Sequence, residues 1–309
     1  MTSLLTNVSA MVALQTLNRI SMDLVETNDR VSTGLRIREA SDSAAYWAIS
    51  TTTSSDNGAL SAVRDALALG RSVFDVAYSG LDLVRQNLED IKELIVSARQ
   101  PGITRANVQE QIAGLQADMI NKAGASVLNE QNFLAIADSA TENMTKSVVA
   151  SFERRGGSVS ISTIDIDIST VYLTDGAATP TGILDIDRTV GAGATAVTSS
   201  VLDVDIGALT DSATDLAILE NYLTLVDDAL IEVISAQNEV GVALARAESQ
   251  ETFVNALVDA NERAVGALVD ANMEEESTRL RALQTQQQLA VQSLAIANTS
   301  AQNILQLFQ

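Results

Sequence analysis

The last 28 residues, ALQTQQQLAVQSLAIANTSAQNILQLFQ (282–309), contain no charged side chain. Extended back by one turn, they hold the ladder Leu280, Leu283, Gln287, Ala290, Leu294, Ala297, Ala301, Ile304, Phe308, apolar at eight of nine places. Alternating steps of three and four are the seam of a coiled coil. A core helix ordinarily keeps one charged face, and this one has only amides there: Gln286, Gln292, Asn298, Gln302 and Gln306. A short isolated helix of this kind is marginal in water. The segment therefore needs helical partners on more than one side.

The other end of the chain has the same character. The first 18 residues, MTSLLTNVSAMVALQTLN, carry no charged side chain. They lack the basic start of a secretory signal, and polar residues break the apolar run. The expected protein is soluble, or exported by a route without a cleaved leader. From Ala10 a ladder runs Ala10, Leu14, Leu17, Ser21, Leu24, Asn28, Val31, Leu35, with Gly34 placed as a left-handed helix cap. On pattern alone this is either an ordinary core helix or an assembly helix. Paired together, the two ends would still expose apolar and amide surface, whose burial requires neighbouring copies of the chain.

Between the ends the chain is acidic. Nineteen basic against 40 acidic residues give a net charge of −21, which repels phosphate backbones and argues against nucleic-acid binding. There is no His and no Cys, so the usual general base, thiol chemistry and most transition-metal ligation are missing. No cofactor is expected, no apolar run is long enough for membrane insertion, and an enzyme is disfavoured. Lys92, Lys122 and Lys146 lie in polar stretches without a nucleophile motif. Ser41, Asp42 and Ser43 offer caps for a helix from about Ala44 to 99, interrupted or not at Gly58, Gly70 or Gly80. Pro101-Gly102 breaks it, and a shorter helix spans about Thr104–Ala123. Helical spacing returns from Leu216.

Residues 156–211 differ in kind, with eight Asp, one Arg and neither Glu nor Lys. Three fragments alternate, IDIDI (164–168), ILDID (183–187, from Leu184 on) and LDVDI (202–206), and predict strands. Their Asp165, Asp167, Asp185, Asp187, Asp203 and Asp205 suit either a hard cation or a solvent-facing polar strand edge. The fold class expected is mainly α with a small β insert: a long-helix hairpin with paired terminal helices and a small outer β domain.

The segment RVSTGLRIREASDSAAYWAIS (30–50) resembles the signature of bacterial flagellins, in which an Arg-Leu/Val-Ser-Ser/Thr-Gly-Leu-Arg-Ile run precedes Ala, Asp and a double Ala. The corresponding residues are Arg30, Val31, Ser32, Thr33, Gly34, Leu35, Arg36 and Ile37, then Ala40, Asp42, Ala44 and Ala45. Tyr46-Trp47 is similar to flagellins of rhizobia-like alphaproteobacteria. Asn7, Ala10, Ala13 and Leu14 at the start, and Asp270-Ala271, Glu276-Ser277, Gln287-Gln288 and Asn303-Ile304-Leu305 at the end, extend the likeness over about 1–140 and 215–309.

This resemblance implies a self-assembling, secreted subunit of the extracellular flagellar filament. Its terminal helices are folded only after assembly, and it is exported unfolded through the flagellar type III apparatus. The implied domains are 1–40 with 272–309 (inner core), 41–150 with 212–271 (outer wall) and 151–211 (variable surface insert). The implied partners are other flagellin subunits, the export apparatus and its chaperone, the filament cap and hook-junction proteins. Leu14, Leu17, Leu24, Val31, Leu280, Leu283, Leu294, Ile304 and Phe308 would pack the core between subunits, and Arg30, Gly34, Arg36, Arg38 and Asp42 would connect inner and outer layers. The arginines read either as a solvated cluster or as partners of neighbouring acids. A hook–filament junction protein shares such ends and is the nearest alternative, although the length, wall helices and insert favour the filament subunit. The insert's serines and threonines would permit O-glycosylation. At the positions that the vertebrate flagellin receptor reads in sensed flagellins, Leu94 is kept, but Asp90 stands in place of Arg and Gln111 in place of Glu.

Overall fold

The computed structural model describes residues 7–155 and 157–307, with side-chain surroundings up to residue 299. Among these residues are five α-helices: α1 (Val8–Thr33), α2 (Ala44–Ala98), α3 (Arg105–Ala125), α4 (Ala213–Val269) and α5 (Met273–Leu307). The mainly helical class with a small β region is what the sequence predicts. Asn7 opens α1 by accepting a hydrogen bond from the Ala10 amide at 3.1 Å, which satisfies one of the donors a helix start leaves free. Gly34 closes it at φ 73°, its N–H bonded to the Arg30 carbonyl. Only glycine adopts that conformation at little cost. Helix α2 runs unbroken through Gly58, Gly70 and Gly80.

The chain divides into two compact units, Met1–Asn57 with Asp259–Gln309, and Gly58–Val258. In the first, α1 and α5 lie antiparallel. Asn7 Nδ2 reaches the Ala297 carbonyl at 3.0 Å, and Arg30 reaches Glu276 at 3.3 Å. On α5 the inward row is Leu280, Leu283, Gln287, Ala290, Leu294 and Ala297, and every residue between them is exposed. This is the predicted ladder. Its continuation at Ala301 and Ile304 lies beyond the described side chains, and Phe308 lies outside the described residues. On α1 the predicted ladder needs correction. Leu17, Leu24 and Val31 face inward, but Leu14 is 50% exposed and Asn28 is exposed, while Ala13 is half-buried and Thr27 buried. The seam runs Ala10, Ala13, Leu17, Ile20, Leu24, Thr27, Val31. A three–four repeat fits either phase, and small residues at 13 and 27 let the two backbones approach.

In the second unit α2 and α4 run antiparallel, joined along their length by Arg71–Glu251 at 3.1 Å, Lys92–Asp227 and Arg99–Glu220 at 2.5 Å. Between them lies a core of Leu67, Phe74, Leu81, Leu88, Ile91 and Ile95 against Val226, Val233 and Val240, closed by Ile112 and Met119 of α3. Gly70 and Gly80 serve close approach rather than bending. A Cβ at Gly70 would lie 2.1 Å from Val148 Cγ1, and one at Gly80 2.5 Å from Leu134 Cδ1.

The β region consists of short pairs. β1 (Val127–Leu128) and β2 (Gln131–Asn132) form a hairpin whose turn residues Asn129 and Glu130 both have positive φ, as a tight hairpin turn demands. β3 (Ala135–Ile136) pairs in parallel with β6 (Thr174–Asp175). β4 (Thr145–Arg155) and β5 (Ser158–Asp167) form the longest ribbon, with a bulge between Val149 and Ser151. β7 (Arg188–Val190) pairs with β8 (Val197–Ser199).

Of the three alternating fragments only IDIDI falls in a strand, the end of β5. ILDID is a turn, its Ile186 amide bonded back to the Gly182 carbonyl at 3.0 Å. LDVDI keeps its in–out burial but has no neighbouring strand, because α3 side chains take its place. Gln116 Nε2 donates to the Val201 and Val204 carbonyls at 2.9 and 3.1 Å, and Gln109 Oε1 accepts from the Ile206 amide at 2.9 Å. Alternation reports which side chains are buried, not what satisfies the backbone.

Two glycines of α2 separate packing from propensity. Gly70→Ala should destabilise the chain by about 1–3 kcal/mol through overpacking against Val148. Gly58→Ala, with nothing within 4 Å of its new methyl group, should stabilise it by up to about 1 kcal/mol. Urea unfolding of the two variants checks the opposite signs.

Candidate assembly interface: the terminal helix pair

Helix α1 is apolar on two faces. One is the seam against α5. The other carries Val8, Met11, Leu14, Met22 and Val25, all exposed, with Val25 at 68%. Met11 and Met22 are eleven residues apart, about three helical turns, so they share a row with Leu14 and Val25. On α5, Leu289 and Ile296 are likewise exposed two turns apart, on a face away from the seam. Full burial of an aliphatic side chain of this size gives about 1.5–3 kcal/mol. The row is thus a strong association surface, and among the described residues of the unit nothing covers it.

Where α1 ends, the chain returns against the end of α4 and the start of α5 through main-chain atoms. The Arg36 and Ile37 amides donate to the Val269 carbonyl at 2.6 and 3.2 Å, and the Ala271 amide donates to the Gly34 carbonyl at 2.8 Å. Leu35 and Asp270 form an antiparallel bridge. The five residues expected at a connection separate into two groups. Arg30, Gly34 and Arg36 touch the returning C-terminal segment, while Arg38 and Asp42 close a local turn. Asp42 accepts from the Arg38 and Glu39 amides at 2.9 and 3.2 Å, and these two bonds hold its carboxyl below the ordinary carboxylate value. Arg38, hydrogen-bonded to Glu39 and beside Asp29, has its pKa raised. Both arginines therefore meet acids of their own chain. Arg36 does not: its guanidinium donates to the Leu268 carbonyl at 2.8 Å, capping a helix end instead of pairing with a charge.

Two residues of the seam carry no warning in the apolar ladder. Thr27 is buried, and Glu276 is buried with Oε1 on Arg30 at 3.3 Å and Arg279 at 3.5 Å. Glu276 Oε2 has no hydrogen-bond partner among the described residues. The available signal is spacing, since Glu276 continues the α5 ladder back from Leu280 by four.

The remaining sequence candidates lie in the second unit. Asp90 and Gln111 are exposed, on α2 and α3, and Leu94 packs half-buried against the core. Lys92, Lys122 and Lys146 each sit in an ion pair, with Asp227, Asp118 and Glu142. The aspartates of the β region are dispersed into turns. Asp167 accepts from the Ser169 amide, which lowers its pKa; Asp203 accepts from the Ser200 hydroxyl and Asp205 from the Gly207 amide. Asp185 turns inward and accepts from the Asp175 amide, and burial raises its pKa. Among the described residues no three acids form a metal-holding group, and no helix is long and apolar enough to cross a membrane.

Residues 4–136 match the bacterial flagellin N-terminal helical region and residues 223–308 the C-terminal helical region. Over the full length of both chains, the sequence is 41% identical to Flagellin C of Rhizobium meliloti and 40% identical to a flagellin of Brucella melitensis. It is 37% identical to Flagellin A of Rhizobium meliloti, again over the whole of both chains.

The Arg30–Glu276 pair should fix the register of α1 on α5. Glu276→Ala leaves the partly buried Arg30 with only Glu26 nearby, and should destabilise the pair by about 1–2 kcal/mol. The cost is below that of a fully buried pair because Arg30 keeps some contact with solvent. In an Arg30→Met background the same change should cost much less. Amide exchange along α1 measures both.

Proposed function

Because the chain belongs to the bacterial flagellins, the structural, non-enzymatic subunits of the extracellular flagellar filament, we propose that it polymerises through the exposed face of its terminal helix pair. The observation that carries this reading is the second apolar row of α1, Val8, Met11, Leu14, Met22 and Val25, left open by α5. In the filament this row, with Leu289 and Ile296, lies against the terminal helices of neighbouring subunits. Leu17, Leu24, Val31, Leu280, Leu283 and Leu294 hold each pair together, and Ile304 and Phe308 extend its seam. Leu14 belongs to the contact between subunits, not to the seam.

In this reading residues 1–40 and 272–309 form the inner layer of the filament. Residues 41–150 and 212–271 form its wall, and 151–211 face solvent. Arg30, Gly34, Arg36, Arg38 and Asp42 shape the connection between layers. Full-length likeness to flagellins favours the filament subunit over a hook–filament junction protein. In the same reading the chain leaves the cell through the flagellar type III apparatus, with a chaperone before it and the filament cap and hook-junction proteins beyond it.

Seeded elongation followed by electron microscopy tests the assembly surface. Chains lacking 1–40 or 272–309 should not elongate. Val25→Asp should slow elongation about a hundredfold or more, since a buried unpaired carboxylate costs several kcal/mol. Normal growth of either would overturn the proposal.

The divergent epitope generates a second test. Asp90 reverses the charge and Gln111 removes it at positions the receptor reads. If the receptor surface is unchanged, the mismatch should cost several kcal/mol. Reporter cells bearing the receptor should respond weakly, and the Asp90→Arg, Gln111→Glu variant strongly.

A further inference from the structure

The chain has six methionines and no cysteine, which makes thioethers its most readily oxidised groups. Their placement is uneven. Met119 is fully buried in the second unit and Met144 packs half-buried against the same core. Met11 and Met22 are 60% and 65% exposed, both on the open apolar row of α1. Met273, at the start of α5, is 43% exposed and lies off that row.

We propose that Met11 and Met22 are peroxide-sensitive modification sites whose oxidation blocks incorporation of the free subunit. The inference rests on the assembly surface proposed above. In the reaction a thioether sulfur lone pair attacks one oxygen of hydrogen peroxide. An S–O bond forms, the O–O bond breaks, and the second oxygen leaves as water after proton transfer. Sulfur is oxidised by two electrons and the peroxide reduced.

The sulfoxide carries a strong acceptor and no donor. Solvent satisfies it on the free subunit. Pressed among Val8, Leu14 and Val25 and their counterparts on a neighbour, it loses its water and gains no partner, which disfavours docking. Once a neighbour covers the row, peroxide no longer reaches the two sulfurs. Sensitivity belongs to the subunit before assembly, and the finished polymer resists. Methionine sulfoxide reductases reverse the change.

The experiment treats full-length subunit with dilute hydrogen peroxide, maps sulfoxides by mass spectrometry and measures elongation on untreated seeds. Met11 and Met22 should oxidise while Met119 does not, and elongation should fall about tenfold or more. The Met11→Leu, Met22→Leu variant, which keeps both positions apolar and helix-forming, should elongate normally before and after treatment. Preformed filaments should retain both thioethers. The proposal is overturned if wild-type chain carrying both sulfoxides elongates at the untreated rate, or if the leucine variant loses as much as wild type. The unoxidised Met11→Gln, Met22→Gln variant separates the two claims. If it elongates normally, the assembly surface is wrongly placed. If it is blocked while the sulfoxide form is not, only the oxidation proposal fails.

Discussion

The seam between α1 and α5 is made of residues small enough to bring two backbones close, and so it buries only one side of each helix. Ala10, Ala13, Leu17, Leu24 and Val31 face Leu283, Ala290, Leu294 and Ala297, and the far side of α1 also carries apolar residues, Val8, Met11, Leu14, Met22 and Val25. A hairpin cannot cover both faces. The same composition that makes the pair possible leaves it incomplete, and most other features of the terminal segments follow. The exposed positions of α5 from Ala282 to Thr299 are uncharged, among them the amides Gln286, Gln292 and Asn298, which tolerate either water or a neighbour, whereas charges there would have to be desolvated at several kcal/mol each. Near the point where α1 ends, Asp29, Arg30, Arg38, Glu39 and Asp42 form a set of ion pairs and hydrogen bonds.

The second unit solves a different problem with different means. Its helices are acidic, and the chain as a whole carries −21. Four of its basic residues join elements: Arg71, Lys92 and Arg99 tie α2 to α4, and Arg188 reaches from β7 to Glu232 at 2.6 Å. Such half-exposed pairs add little stability individually. They do set register along two long antiparallel helices whose Ala/Val/Leu core would otherwise permit sliding. The buried Arg105 does the same for the start of α3, donating to the Ala98 and Leu209 carbonyls at 3.0 and 3.1 Å and to Asp211 at 2.6 Å.

Long-range periodicity made the helices legible, and its failures are instructive. The α5 row is legible because leucines and alanines recur there at steps of three and four in a segment that has no charge after Arg281. The α1 seam departs from the apolar ladder at Leu14 and Asn28, both exposed, because apolar residues fill both phases, and size at the seam, not hydrophobicity, decides between them. Glu276 escaped notice because a carboxylate in a coiled-coil seam is visible only once Arg30 is opposite it. In the β region, IDIDI, ILDID and LDVDI are nearly the same word, and their fates diverge according to what lies beside them: a hairpin partner, a turn, or two glutamines of α3. Local pattern specified burial in IDIDI and LDVDI but not in ILDID, where Ile183 and Leu184 are both buried and Asp185 turns inward, while neighbours distant in sequence decided the hydrogen bonding.

The joint at Gly34–Ile37 and Val269–Ala271 is hydrogen-bonded through main-chain groups, with the Arg36 guanidinium adding one bond and the Ile37 and Val269 side chains buried beside it. Its bonds lie across the direction in which the two segments run, as in any antiparallel bridge. Tension along either segment therefore loads them side by side in shear, instead of peeling them one at a time. A shaft turned at its base strains each subunit in torsion, and a clasp of this kind shares that strain between the two ends of one polypeptide. Its strength comes from peptide geometry, and that geometry depends on Gly34 holding the left-handed turn that sets the two segments side by side.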